Sequence, residues 1–248
     1  MSAFPEQTTG AISLTFDDGL TSHIAKAIPS LDHYGFRGTF YVPAGDNDGG
    51  KPALERFRPA LEAGHEIGNH SVKHYWPVAQ ATGPGRVGVE DLSLADMAAE
   101  LDAACARFKA VFPEIASWSY AYPGYATWIG RGAGRASFVP LVAERFFCAR
   151  AGGEISTPWN IPGRLDRYCL NSYKCEGKSA EQLIGIVERA AQVSAWSILS
   201  FHGVDTEHLT ISSAAFETLL YHLDRHRDRI WTAPVIDVAQ YLETPTHT

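Results

Sequence analysis

Short apolar runs alternate along this chain with longer segments of helical character, and that alternation leaves few folds open. Residues 11–16 form one such run, closed by Asp17-Asp18-Gly19. Others lie at 38–42, 65–69, 118–122, 146–149, 196–201 and 230–233. Helices are expected between them, at about 22–33, 53–63, 93–112 and 135–145, and from 179, 212 and 235 onward. Ser93 with Asp96, and Ser179 with Gln182, supply cap residues where helices should begin. Strands alternating with helices give a parallel sheet with helices outside it. Seven strands in 248 residues predict an α/β fold, a distorted (β/α) barrel of about seven parallel strands. In such barrels the chemistry lies at the C-terminal ends of the strands.

Composition narrows the function. Hydrophobic residues make up 45% and charged residues 20%, ordinary for a globular domain and unlike a disordered chain. One catalytic domain is expected over 11–243, with tails at 1–10 and 244–248. A net charge of −7 argues against nucleic acid or an anionic membrane as partner, since both demand clustered positive charge. The opening MSAFPEQTTG lacks a basic stretch followed by an apolar one, so a cytoplasmic location is expected. The four cysteines fit no zinc ribbon. Cys169 and Cys175 are near enough in sequence for a loop disulfide, but nothing else suggests an oxidising compartment.

Three places carry chemistry. Asp17 and Asp18 are adjacent carboxylates at a strand end, which repel unless a cation or donor compensates; the plain alternative is a turn. His70 and His74 follow another strand, and one helical turn between them would put both imidazoles on one face, as a metal pair requires. His222 and His226 share that spacing but sit among Asp224, Arg225, Arg227 and Asp228, which reads as a solvated face. His65-Glu66 does not begin an HExxH motif, because Asn69 stands where the second histidine belongs. Gly130 to Gly134 lacks the spacing of a nucleotide loop. His202 ends the 196–201 run and is followed by glycine. One carboxylate and two histidines make a three-ligand catalytic metal site with a position left open. A second carboxylate and a third histidine remain as base and acid, the inventory of an amide or ester hydrolase.

In TFDDG at 15–19, HSVKH at 70–74, Tyr-Pro-Gly at 122–124 and LSFHG at 199–203, the chain resembles the polysaccharide deacetylases, the fourth carbohydrate esterase family. The resemblance implies a distorted barrel and a divalent metal, usually zinc, on Asp18, His70 and His74. It makes Asp17 the general base and His202 the general acid. It implies an acetylated carbohydrate substrate, with removal of N-acetyl groups from an amino sugar as the leading reaction. O-acetyl esterase action on xylan, opening of a cyclic amide, or an inactive sugar-binding barrel are the alternatives. Two departures stand out. The family's base-orienting arginine is replaced by Ala121, and its tyrosine by Gly124, with Tyr125 next. A backbone N–H at Gly124 or Tyr125 can still serve the oxyanion. Arg150, directly after the fifth run, is the expected substitute partner of Asp17, ahead of Arg164. Trp76 and Trp159, in loops, are the expected sugar-stacking rings among a set that includes Tyr41, Tyr125, Trp128 and Trp231.

Overall fold

The first strand, β1 (Gly10–Asp17), is buried along its whole length, as an apolar run with strand neighbours on both edges should be. The computed structural model describes residues 3–5, 8–45, 53–80, 86–152 and 159–243. After β1 the chain makes a π-helical turn, His23–Ala27, into α1 (Ile28–His33), then β2 (Thr39–Val42). Next come a 3₁₀ turn, Ala53–Phe57, and α2 (Arg58–Glu62), β3 (Glu66–Asn69), α3 (Leu94–Val111) and β4 (Ser119–Ala121). The hairpin of β5 (Trp128–Ile129) and β6 (Ala136–Ser137) leads to α4 (Val139–Ala143) and β7 (Cys148–Arg150). Then follow β8 (Trp159–Asn160), β9 (Tyr173–Lys174), α5 (Ala180–Gln192), β10 (Trp196–Phe201), α6 (Ser213–Arg225), β11 (Ile230–Thr232) and α7 (Val235–Glu243).

The strands form a mostly parallel sheet in the order β7-β4-β3-β2-β1-β10-β8, with β11 beside β1 and β9 beside β10. This sheet curls into a half-barrel with helices outside it. Its edges are bridged by an irregular segment. Leu170 pairs with Arg150 on one edge, and β9 runs parallel to β10 on the other. The core is aromatic: Phe16 stacks on Phe40 and Phe201, with ring centroids 4.9 and 5.3 Å apart, and all three are fully buried or nearly so. Each such ring contributes roughly 2–3 kcal/mol by leaving water. At the N-terminal end of the strands, half-buried Glu66 accepts from Thr39 Oγ1 at 2.7 Å, from the Ile236 N–H at 3.0 Å and from the Ser119 hydroxyl. That network ties β2, β3, β4 and α7 together.

The caps at Ser93 and Ser179 form as expected, each side chain accepting from the N–H three residues on. Several expectations need correction. The helix expected over 135–145 starts only at Val139, because Pro140 fits a first helical turn and not a helix interior. Pro59 splits the expected 53–63 helix for the same reason. Residues 156–177, which carry no strand or helix pattern in the sequence and read as a loop, contain β8 and β9; residues 153–158 and 244–248 lie outside the described residues. The expected N-terminal tail is not wholly a tail, since Phe4 is buried with Ala11, Trp196 and Val235 in a second apolar cluster. All four cysteines are free thiols, so Cys169 and Cys175 are not bonded. Among the described residues no helix is long and apolar enough to cross a membrane.

Candidate active site

Parallel register decides which side chains meet. Phe16 lies level with Phe201, so Asp17 and His202, the next residues on each strand, emerge side by side. Asp17 is level with Tyr41, Val42 with Asn69, and Ala121 with Arg150. Asp17, Asp18, His70, Arg150 and His202 therefore gather at the C-terminal ends of four strands, β1, β3, β7 and β10, or just beyond them. All but the fully buried Arg150 border a cleft of about 620 Å³ that also takes in His74, Trp76, Lys174 and Glu176. Backbone strain gathers here too. Asp18, Ser71, His74, Tyr125, Asp205, Glu207 and Leu209 all have positive φ, and elsewhere among the described non-glycine residues only Ser194 does.

His70 and His74 converge, but not through a helical turn. The segment between them is irregular, turned by positive φ at Ser71 and His74, and the Ser71 hydroxyl accepts from the His74 N–H at 3.0 Å. The two Nε2 atoms are 3.0 Å apart. Asp18 Oδ1 is 3.5 Å from His70 Nε2 and 3.2 Å from His74 Nε2. His70 Nδ1 donates to the Ala121 carbonyl at 2.8 Å, which leaves Nε2 with its lone pair toward the cluster. Burial and the neighbouring His70 lower the His74 pKa, favouring the neutral imidazole that binds metals. Burial would raise the Asp18 pKa, yet the neighbouring imidazoles of His208, His70 and His74 hold it well below the carboxylate range. The donor set fits a divalent cation. Three ligand atoms lie within 4.8 Å of one another, from two imidazoles and one ionised carboxylate.

Asp17 faces a different set of groups. Arg150 is fully buried, and its Nη2 donates to Asp17 Oδ2 at 2.5 Å. Its Nη1 donates to Ser200 Oγ at 2.8 Å, while its guanidinium carbon stands 5.1 Å from the Tyr41 ring centroid. The cation missing at Ala121 is thus present one strand over, at the same level. Burial would raise the Asp17 pKa, but Arg150, with His70 and His202, brings it below its ordinary value. The second oxygen, Oδ1, is buried and has no hydrogen-bond partner among the described residues. His202 Nε2 lies 3.9 Å from Asp17 Oδ2 and equally far from Asp18 Oδ2. Burial lowers the His202 pKa against the pull of both aspartates.

The other expected residues divide. Tyr125 donates its N–H to the Tyr122 carbonyl at 2.9 Å, so it is no open oxyanion donor; no hydrogen bond of the Gly124 N–H is found among the described residues. Gly124 holds φ +55°, and a Cβ there would meet Trp76 Cβ at 2.9 Å, so glycine is required. Trp76 lines the cleft. Trp159 does not: it is level with Ser197, toward the opposite end of β10 from His202. Trp128 stacks on Arg135, Trp231 packs on Tyr241, and Arg164 is exposed. Lys174, Glu176 and His208 were not foreseen. The first two lie in a stretch whose sequence shows no strand or helix pattern, and His208 belongs to no motif. Glu188, His222 and His226 also bring ligand atoms together, but Arg229 occupies both Glu188 oxygens, at 2.5 and 2.9 Å. That cluster is a satisfied helix-surface ion pair.

Comparisons with known proteins bear on the family and the fold. The polysaccharide deacetylase family profile matches residues 5–128. A chitin disaccharide deacetylase of Vibrio alginolyticus is 39% identical over 72 residues, 27% of this chain and 17% of that relative's length. Among solved structures, a Mycobacterium smegmatis protein assigned as a polysaccharide deacetylase superposes with TM-score 0.65 at 15% identity, over 96% of this chain and 92% of that one. A family 4 acetyl xylan esterase from Clostridium thermocellum, in complex with a cobalt ion, gives 0.57 at 18% identity, over 93% and 90%. At such identities the structural likeness is one of fold.

Proposed function

The chain belongs to the polysaccharide deacetylase family, and we propose that it is a metal-dependent hydrolase removing N-acetyl groups from an acetylated amino-sugar oligo- or polysaccharide. The observation that carries this reading is the pairing, in one cleft, of the Asp18–His70–His74 donor set with the buried Asp17–Arg150 pair. The match to a chitin disaccharide deacetylase favours an amino sugar over xylan. Zinc is the metal the donor set suits best.

Asp18, His70 and His74 would hold the cation, whose chemistry is that of a Lewis acid toward the acetyl carbonyl. Asp17, ionised and steadied by Arg150, presents Oδ1 to take a proton from the attacking water. The Gly124 N–H is the donor for the developing oxyanion; such a donor typically contributes about 3 kcal/mol. His202 passes a proton to the departing nitrogen. Its lowered pKa leaves it neutral at rest, so the proton it delivers comes by way of Asp17, whose Arg150-bound Oδ2 lies 3.9 Å from His202 Nε2. Water's other fragment ends on the acetyl carbon, and the products are acetate and an amine. Trp76 offers a face for a sugar ring, and Glu176, with a buried oxygen lacking a partner, an acceptor for a hydroxyl.

The test is acetate release by zinc-loaded and chelator-treated protein on acetylated chito-oligosaccharides and acetylated xylo-oligosaccharides. Metal-dependent release from the first is expected. Release from the second alone would replace amide with ester chemistry, and release from neither would remove the reading.

A further inference from the structure

His208 lies outside every motif, yet its Nε2–H donates to Asp18 Oδ2 at 2.7 Å. The loop that carries it is built rather than loose. Gly203 donates to the His208 carbonyl at 3.1 Å, and Ile211 donates back to Gly203 at 2.9 Å. A Cβ on Gly203 would come within 2.0 Å of the Thr206 carbonyl oxygen, so the fold-back needs glycine there. Asp205, Glu207 and Leu209 take left-handed backbone, each at an energetic cost for a residue with a side chain.

Side chains staple this loop on two sides. Glu207 accepts from the Thr21 N–H at 2.9 Å, the Ser22 N–H at 3.3 Å and the Ser22 hydroxyl, fastening it to the turn just after Asp17 and Asp18. Asp205 accepts from the Ser213 N–H and from Lys26 Nζ, both at 2.7 Å, fastening it to the start of α6 and the first helical segment. Strain and staples together hold one imidazole against one carboxylate oxygen. With Oδ2 engaged by His208, only Oδ1 of Asp18 faces His70 and His74.

We infer that His208 is a positioning residue. It fixes the Asp18 carboxylate so that a single oxygen is offered to the cation, and so raises metal affinity without itself ligating. The inference rests on the reading of Asp18, His70 and His74 as metal ligands. Groups that orient metal ligands typically contribute 10- to 100-fold in affinity.

The test measures Zn²⁺ affinity by chelator competition for the wild-type protein and for His208→Ala, His208→Gln and His70→Ala. Thermal unfolding of each metal-free variant checks folding; the His208 side chain is 55% exposed, so its replacement should leave the fold intact. We expect His208→Ala to bind Zn²⁺ 10- to 100-fold more weakly. We expect His208→Gln, whose amide N–H reaches a similar place, to recover most of the loss. Unchanged affinity in His208→Ala would overturn the inference. A loss that glutamine does not restore would also overturn it, by making His208 a ligand. If His70→Ala binds Zn²⁺ as well as wild type, the ligand reading itself fails, and the role of His208 falls with it.

Discussion

Asp17 and Asp18 are chain neighbours with different surroundings, and separate duties are proposed for them. One oxygen of Asp17 is tied to Arg150 and the other is open; one oxygen of Asp18 is tied to His208 and the other faces two imidazoles. Asp17→Asn should therefore keep Zn²⁺ affinity within a few fold while losing at least 100-fold in turnover. Comparable turnover in a metal-loaded Asp17→Asn protein would remove Asp17 as base. Arg150→Met leaves a buried carboxylate without its cation, and should cost about 3–5 kcal/mol in denaturant unfolding. Adding Asp17→Asn should return part of that loss, since no uncompensated charge then remains. Additive losses would show that Arg150 acts by packing alone. At this scale the sequence was most informative where residues lie contiguously in a motif, as in 15–19 and 70–74. Arg150 was reachable because it directly follows a strand. His208 was not, since only the folded loop brings it to Asp18, and Trp159 misled because a position near a strand-like run does not say which end of the barrel it occupies.

At the scale of elements, seven strands were legible because their buried runs are mostly apolar, the two-residue β5, β6, β8 and β9 were too short to show, and prolines explain where helices began late. The His70–His74 spacing led to the right pairing by the wrong geometry, for convergence comes from left-handed turns that spacing does not encode. The π-helical turn after β1 holds a titratable surprise. His23 is fully buried among Phe16, Phe40 and Phe57, with Nε2 at 3.0 Å from the His202 carbonyl. Burial lowers its pKa from 6.5 to about 4. The unfolded chain takes up a proton near pH 6.5 that the folded chain refuses. The stability contributed by neutral His23 is thus complete above that pH, and falls away as pH drops toward 4. At pH 5 the loss should be about 2 kcal/mol. Metal-free wild type and His23→Gln, which keeps an N–H for the same carbonyl, should differ by that amount in their urea stability change between pH 7.5 and 5. Equal changes would show that His23 does not set the acid limit.

For the whole molecule, the parallel sheet and its helices followed from strand–helix alternation, whereas the manner of bridging the open edges did not. The bridge is made by single pairings around Leu170 and β9, too short to leave a periodic pattern. The order of the strands has a temporal consequence. Asp18, His70 and His74 come from the first 74 residues and follow β1 and β3, with only β2 between, so the chain separations they must close are short. Asp17 and Arg150 are 133 residues apart and meet only across the sheet. Contacts of greater sequence separation form more slowly. During refolding with Co²⁺ present, the ion's visible absorbance should appear before hydrolytic activity returns, and simultaneous recovery would contradict this order. The nascent chain would then acquire its cation first and its competence as a catalyst last, holding a loaded but silent intermediate until the far edge of the sheet arrives.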